Sequence, residues 1–68
     1  MYTVRDNRNR VACMIDKTNG IVEHRYKGCF TQSILPVGGS YVIERDNTRT
    51  VIVRTGKTKY EVRNEITG

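Results

Sequence analysis

An all-β fold is predicted for this chain by three features of its sequence. Apolar and polar residues alternate with period two in one segment after another, the pattern of half-buried strands. Clusters of Gly, Asn, Asp and Pro interrupt the alternation at short intervals. No segment carries the i, i+3, i+4, i+7 apolar stripe of an amphipathic helix for long enough to form one.

The first strand is expected near residues 1–5, with Tyr2 and Val4 on one face. Asp6-Asn7-Arg8-Asn9 ends it, because Asp and Asn side chains bond nearby backbone and favour turns. A second strand near 10–16 groups Val11, Cys13 and Ile15 against Arg10, Ala12, Met14 and Asp16. Lys17-Thr18-Asn19-Gly20 follows, and its Asn-Gly pair is a hairpin signal since both residues tolerate positive φ. The third strand, near 20–26, aligns Val22, His24 and Tyr26 and closes at Lys27-Gly28. A fourth near 29–35 is the least regular, and the span 28–39 leaves room for one short helical turn. Pro36-Val37-Gly38-Gly39 allows a sharp bend. The fifth strand, near 40–45, ends at Asp46-Asn47-Thr48. The sixth, near 49–54, sets Val51 and Val53 on one face against Thr50, Ile52 and Arg54. After Thr55-Gly56-Lys57, the seventh alternates near 58–63 with Tyr60 and Val62 together. Val51, Val53, Tyr60 and Val62 are therefore expected to form one buried patch.

Tight turns favour antiparallel neighbours, so the expected architecture is a small meander of six or seven strands. Curling it into an SH3-like or OB-like barrel would cover its apolar face without helices. Residues 1–63 make a single small β domain, and 64–68 are expected as a flexible C-terminal tail. A chain of 68 residues with 7% aromatics and no Trp has a thin core. A homodimer is one way to add burial.

Several function classes find no support in the residues. The N-terminal MYTVRDNRNR lacks the apolar stretch of a signal peptide, and no apolar run approaches the length of a membrane span. A cytoplasmic chain with reduced thiols and no membrane partner is expected. Cys13, Cys29 and the single His24 lack the spacing of a zinc site, so no metal or other cofactor is expected. Both cysteines read as small buried apolar residues. Thr55-Gly56-Lys57-Thr58 resembles the end of a phosphate-binding loop, but position 51 is Val where that loop needs Gly. A strand, not a helix, is expected to follow it. Cys with His24 forms no recognisable nucleophile arrangement, and the chain is not expected to be an enzyme.

What remains is charge. Twelve Lys and Arg oppose seven acids, and eight of the twelve are Arg, whose planar fork suits phosphates and carboxylates and stacks on bases. In an up-and-down meander, turns one, three and five fall at one end. They carry Arg5, Arg8, Arg10, Arg25, Lys27, Arg45 and Arg49 against Asp6, Glu44 and Asp46. Tyr26 and Phe30 lie beside them. Cations around exposed aromatics form a footprint for phosphates and stacked bases, so these nine residues are the expected nucleic-acid-binding site, for DNA or RNA. The alternative is a protein-interaction module, such as an inhibitor, adaptor or accessory subunit, docking on an acidic protein surface. A short, basic β protein of this kind is also common in phages and mobile elements. One further pattern is an echo: Arg5-Asp6-Asn7 and Arg45-Asp46-Asn47 are each preceded by a strand beginning at Tyr2 or Tyr41. Similar hairpin chemistry at both turns is the simplest explanation.

Overall fold

Strand ends fall where the turn residues break the alternation. The computed structural model describes residues 1–67, which form β1 (Tyr2–Arg5), β2 (Val11–Asp16), β3 (Ile21–Tyr26), β4 (Cys29–Ile34), β5 (Ser40–Arg45), β6 (Thr48–Arg54) and β7 (Tyr60–Ile66), with no helix among them. The short helical turn considered within 28–39 is absent, and β4 occupies most of that span. Residues 64–66, expected in the tail, pair with β6 as the end of β7. Gly68 lies outside the described residues.

Two of the hairpins use the tightest connection. Lys27-Gly28 (φ 50° and 81°) joins β3 to β4, and Asp46-Asn47 (φ 50° and 65°) joins β5 to β6. Positive φ at both loop positions is the type I′ combination, whose twist matches that of paired strands. Asn19-Gly20 behaves differently: only Gly20 has positive φ, at 69°. The pair closes a four-residue loop between Asp16 and Ile21, in which the Asp16 carboxylate accepts the Asn19 backbone N–H at 3.2 Å and its side-chain amide at 2.9 Å.

The strands form two open antiparallel sheets, in the orders β1-β2-β3-β4 and β5-β6-β7. The SH3-like or OB-like barrel is therefore not seen, because neither sheet closes. Strand pairing stops after β4, where Pro36 supplies no N–H and the chain crosses to the second sheet. Gly38 and Gly39 fasten the crossover to β6: Gly38 N–H donates to the Arg54 carbonyl at 2.7 Å, and Arg54 N–H to the Gly39 carbonyl at 3.0 Å.

The two sheets share one core. Val4, Ala12, Cys13, Ile15, Val22 and Leu35 meet Ile43 and Ile52, with Tyr41, Tyr60 and Val62 packed against them. Two expected face assignments are corrected. Val4 pairs with Cys13 while Arg5 pairs with Val11, so Ala12 is an extra residue in a β-bulge. The bulge turns both Ala12 and Cys13 inward and leaves Val11 45% exposed. On β6 the buried face is Thr48, Thr50 and Ile52, while Val51 and Val53 lie half-buried on the other side. The inner patch is thus Ile52 with Tyr60 and Val62. Polar residues are tolerated on this face because they are satisfied: the Thr50 hydroxyl donates to Asn64 Oδ1 at 2.9 Å, and Thr48 to the Arg45 carbonyl. Of the two cysteines, Cys13 is buried and Cys29 exposed, so only Cys13 fits the expectation of a buried apolar residue; both are free thiols.

Candidate functional site

Turns one, three and five lie at one end, and Asp6 organises the junction of the first and fifth. The Asp6 side chain is only 3% exposed. Its Oδ1 accepts the backbone N–H groups of Arg8 (2.9 Å) and Arg10 (3.0 Å), and its Oδ2 accepts Arg10 Nε (3.0 Å). Arg45 Nη2, from the end of β5, lies 3.5 Å from the same oxygen. Arg10 continues across to the fifth turn, where its Nη1 donates to Asp46 Oδ2 at 2.7 Å. Each Asp of the repeated Arg-Asp-Asn triplet therefore takes an Arg from the opposite turn. The turns themselves differ, since Asp46 and Asn47 have positive φ while in the first turn only Asn9 does, at 61°.

Electrostatics follow this geometry. Burial pushes the Asp6 carboxyl up, but the Arg10 and Arg8 N–H groups and the Arg10 charge more than reverse it, holding it below the ordinary carboxylate value. The hydrogen bond from Arg10 also lowers Asp46. Arg10 is correspondingly raised, chiefly by Asp46.

Three expected ligand-binding cations are thereby committed to the protein's own carboxylates. Arg10 and Arg45 hold Asp6. Arg49 sits on the outer face of the second sheet between Glu44 (3.4 Å) and Glu65 (3.8 Å), its cross-strand neighbours. Arg5 Nη1 donates to the Asn9 carbonyl at 3.0 Å. Arg8 is exposed beside Asn7, Asn47 and Ile66.

The remaining residues converge on the β3–β4 hairpin. Tyr26 and Phe30 are 39% and 48% exposed, and with Tyr2 at 45% they leave only Tyr41 and Tyr60 of the five aromatics packed against the core. The Arg25 guanidinium lies 4.8 Å from the ring centre of Phe30, its cross-strand partner. Arg45 and Lys27 lie 5.1 Å and 5.4 Å from the Tyr26 ring centre. Arg25, Tyr26, Lys27 and Phe30, with Gly28 and Cys29, border a shallow depression of about 260 Å³. The type I′ turn puts Lys27 and Gly28 at its tip. Nothing lies within 4 Å of where a Gly28 side chain would stand, so the tip is open to solvent.

Compared with known proteins, the chain matches no family model, no curated sequence and no solved structure.

Two residues have an organising role that the sequence does not announce. Asp6 reads there only as a neutralising acid, although the triplet echo marks its turn. Arg54 anchors the opposite end, donating from Nη1 to the Leu35 carbonyl and from Nη2 to the Lys57 carbonyl, both at 2.7 Å. Its place at the end of an alternating strand looks like that of any surface arginine.

Proposed function

We propose that the protein is a nucleic-acid-binding module that takes single-stranded segments at the β3–β4 hairpin. The observation that carries this reading is the pairing of two exposed rings, Tyr26 and Phe30, with three cations at one hairpin. Rings offer stacking surface to any base, and adjacent Arg and Lys neutralise the phosphates that join the bases. Stacking and phosphate contacts read no base edges, so binding is expected to have weak sequence preference. Arg25, Lys27 and Arg8 supply phosphate contacts, Tyr26 and Phe30 supply stacking, and Arg45 keeps Tyr26 in place while holding Asp6. Arg5, Arg10 and Arg49 contribute general positive potential rather than direct contacts.

The neutralisation of Arg10, Arg45 and Arg49 by internal carboxylates favours one second reading, an acidic protein surface docking on the same end with fewer charge contacts. Titration of labelled single-stranded DNA and RNA at two salt concentrations decides between them. Affinity that falls steeply with salt supports the nucleic-acid reading. Absence of binding to both polymers at low salt removes it and leaves the protein ligand.

A further inference from the structure

The four edge strands of the two sheets are not alike. β1 is only four residues long, carries Arg5, and pairs irregularly with β2 across the bulge at Ala12. β5 carries Glu44 and Arg45, and β7 carries Glu61, Arg63 and Glu65. Short length, bulges and charges are the usual means of keeping an open edge from pairing with another chain. β4, Cys-Phe-Thr-Gln-Ser-Ile, has six residues, no charge, no Pro and no bulge, and it is exposed over nearly its whole length. In a chain with 19 charged residues out of 68, an unprotected edge stands out.

The register identifies which groups of β4 are free. Leu35 N–H donates to the Gly20 carbonyl at 2.7 Å, and the same register pairs Val22 with Ser33, His24 with Thr31 and Tyr26 with Cys29. Hydrogen-bonded pairs alternate along an antiparallel ladder, so the odd-numbered residues of β4 bond to β3. The N–H and C=O groups of Phe30, Gln32 and Ile34 therefore point out of the sheet edge.

We propose that β4 pairs antiparallel with β4 of a second copy of this chain, about a two-fold axis through Gln32. That register sets Gln32 opposite Gln32 and Phe30 opposite Ile34, twice. All three outward-facing residues then become hydrogen-bonded pairs, making about six backbone bonds across the interface. The same register buries the most exposed apolar side chain of the protein: Ile34, 81% exposed, packs beside the 48%-exposed Phe30 of the other copy. A strand whose aromatic and aliphatic residues lie equally far on either side of its centre is complementary to itself only when antiparallel, the arrangement a two-fold axis imposes. Absence of charge matters here, because any like charge at the centre of β4 would meet its own copy. The result is a continuous eight-stranded sheet with a Phe30–Arg25 pair from each copy on one face, roughly 13 Å apart along the strands. The dimer would thus present the Phe30–Arg25 half of two hairpin sites on one surface, although self-association does not depend on what the hairpins bind.

Sedimentation equilibrium of the protein alone, over a concentration series at moderate salt, tests this. The expected result is a monomer–dimer equilibrium ending at twice the mass of the single chain. Ile34→Lys places a charge at each end of the interface and is expected to weaken self-association at least about tenfold. Gln32→Pro removes the N–H groups on the axis without touching the backbone bonds to β3, loses only the exposed side-chain bond to Glu23, and is expected to do the same. Val42→Lys, on an exposed position of the other sheet, is expected to leave the dimer unchanged. Circular dichroism of the variants checks that each remains folded, and Ile34→Lys is exposed enough to be safe on this count. A protein that stays monomeric throughout overturns the proposal. So does a series of species growing beyond the dimer, or a dimer that survives Ile34→Lys.

Discussion

Gly20 gives up its side chain to the guanidinium of Arg54. A Cβ at Gly20 would collide with Arg54 Nη1, which is held in place by the Leu35 carbonyl at 2.7 Å. Leu35 in turn donates its N–H to the Gly20 carbonyl at 2.7 Å. This end of the molecule is thus closed by one arginine of β6, reaching past the β2–β3 loop to the crossover and to the sixth turn. At the other end Arg10 and Arg45 do the same work around Asp6.

Gly20→Ala is therefore expected to destabilise the fold by about 2–3 kcal/mol. About 1–2 kcal/mol of this is the left-handed conformation alone, at φ 69°, and the displaced Arg54 adds the rest. Gly28→Ala, at φ 81° with open space around it, should show only the conformational part. Urea denaturation of both variants measures the difference; equal losses would mean that Arg54 simply moves aside.

The corrected faces of β6 make a second comparison. Ile52 is fully buried at the centre of the core, so Ile52→Ala should cost about 2–5 kcal/mol through reduced burial and the cavity left behind. Val53→Ala, on the outer face, should cost under about 1 kcal/mol. Equal shifts in denaturation midpoint would place both residues in the core.

These two residues also show what the sequence could and could not reveal. Every strand was legible, since period-two runs and turn clusters are local signals and need no knowledge of neighbours. Choice of face on β6 was not, because Val51, Val53 and Ile52 are equally suited to burial. The decision rests on partners distant in sequence: Asn64 for the Thr50 hydroxyl, and the Leu35 carbonyl for Arg54. Simple alternation misplaces Val11 for a related reason, as a bulge at Ala12 reverses the pattern without changing composition. The clustering of basic turns at one end followed from the meander, but their neutralisation did not. Arg49 meets Glu65 only because β7 runs on to Ile66.

Acid should weaken the end built on Asp6. Its folded carboxyl lies below its unfolded value, so its contribution is complete above about pH 3.9 and is lost as pH falls through the lower folded value. Asp46 and Asp16 are lowered too and act in the same direction. Asp6→Asn should reduce stability at neutral pH and flatten the decline between about pH 5 and the acid limit, about pH 2. An unchanged acid limb in denaturation measured across this range would show that Asp6 gains nothing from Arg8 and Arg10 on folding.

The two thiols should react at different rates. Cys29 is exposed near the hairpin tip, whereas Cys13 is buried and burial pushes its thiol up to about 11. A thiol reagent at neutral pH should label Cys29 at once and Cys13 only as the protein opens. Simultaneous labelling of both in the native state would place Cys13 outside the core.

The hairpin reading predicts how binding divides between charge and stacking. Removing one cation that pairs with a phosphate should reduce the slope of log affinity against log salt by about 0.7 on a single strand. Arg25→Ala with Lys27→Ala should thus lower the slope by about 1.4 as well as the affinity. Phe30→Ala should weaken binding by about 1–3 kcal/mol and leave the slope unchanged, since a ring stacks on a base and releases no counterion. Arg49→Ala should have little effect, because Glu44 and Glu65 already offset that charge. Lys57→Ala with Lys59→Ala, at the opposite end, should also have little. Salt titrations with single-stranded DNA and RNA read both quantities at once. If the Lys57 and Lys59 pair lowers the slope as much as the Arg25 and Lys27 pair, the polymer follows diffuse charge and the hairpin is not its site. If Phe30→Ala changes nothing, the rings take no part and only the phosphate pairing stands.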